Sequence, residues 1–189
     1  MIEFMIKKTT LRLDFSFFAV LSIFFFFDSG GGLAALSACA VHELSHLTVM
    51  LICGVPVQCV TFYGAGIRIS AKLSCERSSV RLWSISAGVI ANLFFAAVFY
   101  LLGEYMLSAV NLVTGLFNLL PIGEFDGAAL AKEAVLRLAP PEKADSIMFV
   151  LEVLSFAVCI TAVLFFSGDI SVTLLVTLVY LLTLMCRQI

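Results

Sequence analysis

Long apolar runs alternate with short polar joints along this chain, and the lengths of the runs predict its architecture. A bilayer core of about 30 Å needs about 20 apolar residues wound as a helix. Five runs approach that length, at about residues 13–27, 33–53, 82–102, 146–166 and 170–185, the first and last being short. A sixth, 105–120, is also short and ends against Pro121-Ile122-Gly123. The expected fold class is an all-α membrane protein of about six transmembrane helices, forming a single domain over residues 1–189. Residues 55–70 depart from the helical pattern. Their sequence, VPVQCVTFYGAGIRIS, is rich in β-branched and aromatic residues and carries glycines at 64 and 66, which predicts a short membrane-associated β-hairpin. A strand edge there could bind an extended substrate, and a purely structural flap fits the pattern equally well.

The basic residues test this layout. All eleven Lys and Arg fall in the N-terminal segment, in 54–81, in 121–145 or at the C-terminus. The joints at 28–32, 103–104 and 167–169 hold none. Under the positive-inside rule this asymmetry predicts a multi-pass protein with both termini cytoplasmic. Lys7, Lys8 and Arg12 ahead of the first run resemble a signal-peptide n-region. A glycine run stands where a small-residue cleavage site belongs, however, and the next apolar run follows at once, so a retained first span is expected.

Composition sharpens the class. Of 189 residues, 62% are hydrophobic and 13% charged, with a mean hydropathy of +1.13. A soluble domain carries about twice that share of charge. The formal net charge of -2 comes with no basic cluster, so nucleic acid is not an expected partner. The six cysteines are scattered without a C-x-x-C pair and read as small buried hydrophobes.

The chemistry concentrates in His42-Glu43-Leu44-Ser45-His46, which contains both histidines of the chain. Positions i and i+4 share a helix face, so His42 and His46 can present their imidazoles to one ion. Glu43, one residue on, can reach a water at that ion and act as general base. Zn2+ suits neutral imidazole and carboxylate ligands. The motif lies mid-span, where a charged side chain costs about 2.5–3.5 kcal/mol on insertion scales. A metal site explains that expense better than a polar packing cluster or the ion relay of a transporter.

Catalytic zinc usually keeps three protein ligands and an open position, and no third histidine exists. The leading candidate is Asp126, in NLLPIGEFDG at 118–127, where Pro121 cannot continue the preceding helix and Gly123 permits unusual dihedrals. Asp126 also sits at a natural N-cap ahead of a helical pattern at 127–138, so an ordinary cap is the plain alternative. Glu124 and Glu152 are competing ligands. Asn118 is a candidate for binding freed backbone groups or a substrate peptide, with helix packing as the alternative.

Three motifs together resemble the site-2 protease family of intramembrane zinc metalloproteases. HELSH matches the family's H-E-x-x-H. Residues 86–92, SAGVIAN, resemble its A-G-P-x-x-N, with Val89 in place of proline. Residues 118–127 resemble its N-x-x-P-x-x-x-L-D-G, with Phe125 in place of leucine and Ala128 in place of a frequent second glycine. The resemblance covers roughly residues 33–138, and suggests a minimal member of the sporulation-factor-processing type without a PDZ-like or nucleotide-sensing domain. It implies zinc on His42, His46 and Asp126 and a water-activating Glu43; Asn92 and Asn118 are candidate substrate-binding residues. It further implies cleavage in or near a transmembrane segment of a membrane-protein substrate in the bilayer, as in regulated intramembrane proteolysis, with a regulatory membrane partner as a further candidate. A non-proteolytic membrane metal-binding protein or transporter is the alternative.

Overall fold

The computed structural model describes residues 1–6, 9–27, 30–64, 66–73 and 76–166. The expected last span at 170–185, the joint at 167–169, and Lys7, Lys8, Cys75, Cys186 and Arg187 lie outside the described residues. The chain divides into two units, Met1–Phe117 and Asn118–Ile189.

In the first unit the order is β1 (Ile2–Ile6), β2 (Thr9–Leu13), α1 (Phe15–Phe27), α2 (Gly31–Ile52), β3 (Val57–Tyr63), β4 (Gly66–Ala71), α3 (Ser78–Leu101) and α4 (Tyr105–Asn118), the last ending at the unit boundary. The expected hairpin is present as β3 and β4, but it is half of a larger sheet. Four strands lie in the order β1-β2-β3-β4. β2 pairs with β3 in parallel, from Thr10 opposite Cys59 to Leu13 opposite Phe62, and the outer pairs are antiparallel. The α1–α2 pair supplies the long crossover that a parallel pairing needs. β1 escaped the sequence pattern because all five of its residues are exposed, so it has no half-buried alternation to read.

A bulge in β3 settles which face of the sheet is buried. Val57 pairs with Ala71 and Cys59 with Ser70, which leaves Gln58 as an extra residue. The insertion reverses the alternation, so Val57 and Val60, three apart, both face inward. They pack with Val55 and Met50 of α2, flanked by Leu47, Phe62, Ile69 and Val80. At the other end of the crossover, Asp14 Oδ1 accepts from Ser16 N at 2.9 Å and Ser16 Oγ at 2.8 Å, which closes the first turn of α1.

α2 and α3 pack through small residues. The buried positions of α2 recur every fourth residue: Ala34, Ala38, His42, His46 and Met50. Those of α3 are Ser84, Ala87, Gly88, Val89, Asn92 and Ala96. Small side chains let two helix backbones approach closely, which matters where lipid offers no hydrophobic drive between helices.

The described part of the second unit holds α5 (Asp126–Leu138) and α6 (Pro141–Phe166), joined by two residues. They pack through Ala128 and Val135 on one side and Ala144 and Met148 on the other.

Three helices among the described residues are long and apolar enough to cross a membrane: Gly31–Ile52, Ser78–Leu101 and Pro141–Thr161. Large apolar side chains such as Leu51, Phe94 and Leu101 face outward from them, as lipid contact allows. The protein is thus a mainly helical membrane protein with a small sheet. α1 and α4 have 13 and 14 residues. At about 1.5 Å per residue they reach only about 20 Å, short of a bilayer core of about 30 Å. Of the six spans that the hydropathy pattern predicts, the described helices show three of full membrane length.

Candidate metal centre

His42 and His46 lie on the buried face of α2, 4% and 6% exposed, while Glu43 is half-buried beside them. Their Nε2 atoms are 3.2 Å apart. What each ring can do there is decided at its other nitrogen. His46 Nδ1 lies 2.6 Å from the Ser84 carbonyl oxygen. A carbonyl only accepts, so Nδ1 carries the proton and Nε2 of the neutral ring presents a lone pair.

His42 is set the same way through a chain of amides. Its Nδ1 lies 2.6 Å from Asn92 Oδ1. The orientation of that amide is fixed because Asn92 Nδ2 donates to the Ala38 carbonyl oxygen at 3.1 Å and to Asn111 Oδ1 at 3.0 Å. Asn111 Nδ2 in turn donates to the Leu107 carbonyl oxygen at 2.9 Å. Oxygen is therefore the atom that Asn92 turns to His42, and His42 Nδ1 must be the donor. With Nδ1 the donor in both rings, the two Nε2 atoms converge on one point, which is the arrangement of a metal-ligating pair whose rings are oriented by outer hydrogen bonds.

Gly88 makes the convergence possible. A Cβ there would lie 2.6 Å from His42 Cε1 and 2.7 Å from His42 Nδ1, and would overlap His46 Nε2. α3 can pass this close to both rings only without a side chain at 88.

The remaining expected residues fall as follows. Asn92 is 0% exposed and bonded to His42, Ala38 and Asn111, so its amide is committed inside the protein rather than open to a substrate. Asn118 is half-buried at the end of α4. Asp126 is the first residue of α5, with Phe125 rather than Asp126 as its N-cap. The turn before it holds Gly123 at φ 58. Gly127 has no room for a Cβ, which would strike the Leu119 carbonyl oxygen and lie 2.6 Å from that of Leu120. The polypeptide thus folds back sharply on itself just where the carboxylate stands. Of the competing carboxylates, Glu124 is exposed and Glu152 buried, both in the second unit.

Sequence reasoning missed Asn111 and the Ser84 carbonyl. A second amide in an otherwise apolar run was the available signal for Asn111. A backbone carbonyl leaves no signal at all.

No family model matches the chain. Among curated proteins, it is 27% identical over 132 residues to Rip3, named as a zinc metalloprotease, in two strains of Mycobacterium tuberculosis. The match covers 61% of this chain, which spans about a third (33%) of the length of those relatives. Among solved structures, the site-2 protease from Methanocaldococcus jannaschii superposes with a TM-score of 0.67 at 17% identity, over 98% of this chain and 94% of that one. The chain has the fold of that site-2 protease.

Proposed function

We propose that this chain is an intramembrane zinc metalloprotease that cleaves a peptide bond in or near a transmembrane segment of a membrane-protein substrate. One observation carries the reading: two histidines on a membrane-length helix have their Nε2 atoms 3.2 Å apart, each ring oriented by an acceptor at Nδ1. The donor types fit zinc, which takes imidazole nitrogen and carboxylate oxygen in three-ligand catalytic sites. On this reading His42 and His46 bind through Nε2, and Asp126 supplies the carboxylate. The likeness to a zinc metalloprotease supports the same metal.

Zinc, when bound, polarises a peptide carbonyl and lowers the pKa of water to about 7. The Glu43 carboxylate accepts the proton from the attacking water and returns it to the departing amide nitrogen. Asn92, held by Asn111, keeps His42 in the required tautomer, and the Ser84 carbonyl does the same for His46. A substrate helix must unwind locally to be cut, because a regular helix binds its own peptide groups. The basic residues, gathered on one side in the six-span layout, favour cytoplasmic termini.

The test is direct. Purified protein in lipid is expected to bind zinc and to cleave a model membrane substrate, with cleavage lost to a chelator and restored by zinc. Asp126→Ala should lower zinc affinity at least as much as losing an outer-sphere partner, a loss of about 10–100-fold. Unchanged zinc affinity in that variant would remove Asp126 from the ligand set. Asn92→Leu is expected to weaken zinc binding about 10–100-fold, and Asn111→Leu less, because it acts one bond further out. Competition titration against a chelator reads both. Nitrogen NMR of the zinc-free protein adds a readout that plain destabilisation does not move: His42 alone should shift its tautomer balance.

A further inference from the structure

We infer that a cleft between α5 and α6 receives a long cationic side chain, lysine or arginine, from the peptide substrate, with Glu152 as the counter-charge at its floor. The inference rests on the proteolytic reading above and adds to it a charge requirement on the substrate.

The cleft has a volume of about 610 Å³, and its described lining residues all belong to the second unit, from the turn at 123–125, α5 and α6. Positions 125, 128, 129 and 132 line one side, and 145, 148, 149 and 152 the other. Both sets follow the spacing i, i+3, i+4, i+7, so each helix offers the cleft one continuous face. The α6 face runs from a rim to a floor. The Asp145 side chain is 92% exposed, whereas Glu152, seven residues on, is 5% exposed. Seven residues of helix set the two positions about 10 Å apart along the α6 axis.

Charge decides what fits. Among the described residues, Glu124, Asp145 and Glu152 line the cleft against a single cation, Lys132. Lys132 Nζ stands 3.9 Å from Asp145 Oδ1, and both side chains are well exposed, so water screens that pair. At the floor, Glu152 makes no hydrogen bond or ion pair among the described residues. A carboxyl group so buried and so poorly paired is costly, and a group brought from outside would offset that cost. It also lies in a helix apolar enough to cross a membrane, where an ionisable residue is a functional candidate by default. Met148 and Phe149, one turn up from Glu152, give apolar walls that suit the methylene stem of a lysine or arginine. An ammonium or guanidinium group at the end of that stem would meet Glu152.

The experiment measures binding without turnover. Fluorescent single-span peptides carry one lysine, norleucine or glutamate at a position scanned along the sequence, and anisotropy is read against the full chain in lipid nanodiscs. Wild type is expected to bind the lysine peptide at least tenfold tighter than the norleucine peptide at one register, with glutamate weakest. Glu152→Gln should bring the lysine-to-norleucine ratio to within twofold of one, and Asp145→Asn at the rim should reduce it partway. No lysine preference at any register in wild type, or an undiminished preference in Glu152→Gln, would overturn the inference. Should Glu152→Gln not fold, the exposed pair Glu124→Gln with Asp145→Asn carries the test, and an undiminished ratio there overturns it equally. Lysine preference without cleavage of any substrate would sink the protease reading and leave the cleft standing. Cleavage without lysine preference would do the reverse.

Discussion

Glu43→Gln is expected to abolish cleavage of a membrane substrate while the protein keeps its zinc. The substitution preserves the size of the side chain and removes the group able to take a proton from water. A positioned general base contributes about 10²–10⁴-fold to such a reaction. In the proposed mechanism Glu43 also returns the proton to the leaving nitrogen, so the loss should lie at the upper end of that range. The metal should stay, because the imidazoles proposed to hold it are oriented by Ser84 and Asn92, not by Glu43. Zinc analysis beside a cleavage assay reads the two halves separately, and full activity in the variant would remove Glu43 as the base. Comparing membrane fragments released in cells by wild type and by Glu43→Gln would identify the substrates. Zinc uptake into vesicles that survives Glu43→Gln, with no cleavage in wild type, would favour a transporter instead.

Gly88→Ala should damage the metal centre nearly as severely, although it adds only one carbon. That carbon would stand 2.6 Å from His42 Cε1, 2.7 Å from His42 Nδ1 and in overlap with His46 Nε2. Neither ring can simply swing aside, because each is bonded at Nδ1 to a buried acceptor. Either α3 retreats from α2 or the imidazoles abandon those bonds. Overpacking of this kind costs about 1–3 kcal/mol. A loss of 1.4 kcal/mol is already about tenfold in an equilibrium constant. Zinc affinity is therefore expected to fall more than tenfold, with activity falling alongside it. Gly115→Ala is the graded control. Its added carbon would approach Asn92 Cβ at 3.2 Å, a tight contact that small shifts can relieve, so a milder loss is expected. Wild-type zinc affinity in Gly88→Ala would mean that the close approach of α3 does not shape the site.

His42, Glu43 and His46 were legible because the helical period turns a four-residue spacing into one face, and because ionisable groups are expensive inside an apolar run. The apolar runs at 33–53, 82–102 and 146–166 were legible from their length, although α3 and α6 begin four and five residues earlier, in polar sequence. Asn92 was visible as a motif residue, but its role was not. An amide reads the same in sequence whether it faces a substrate or orients a ring, and only its three partners distinguish the two. The N-terminal strands were hidden for a different reason. β2 pairs with β3 across the whole α1–α2 crossover, and β1 carries no buried face to leave a period.

HELSH, at the point of departure, was a pair of possible ligands on a helix that hydropathy placed in a membrane. Composition, run length and helical period settled that much, since each is a property of the chain read locally. Which nitrogen of each histidine faces the proposed metal site, and why Gly88 must lack a side chain, belong to α3 and α4. Residues 38–54 positions away in sequence supply or close off the partners of α2. Hydrogen bonds and steric exclusion act through space, so only the packed structure could decide them.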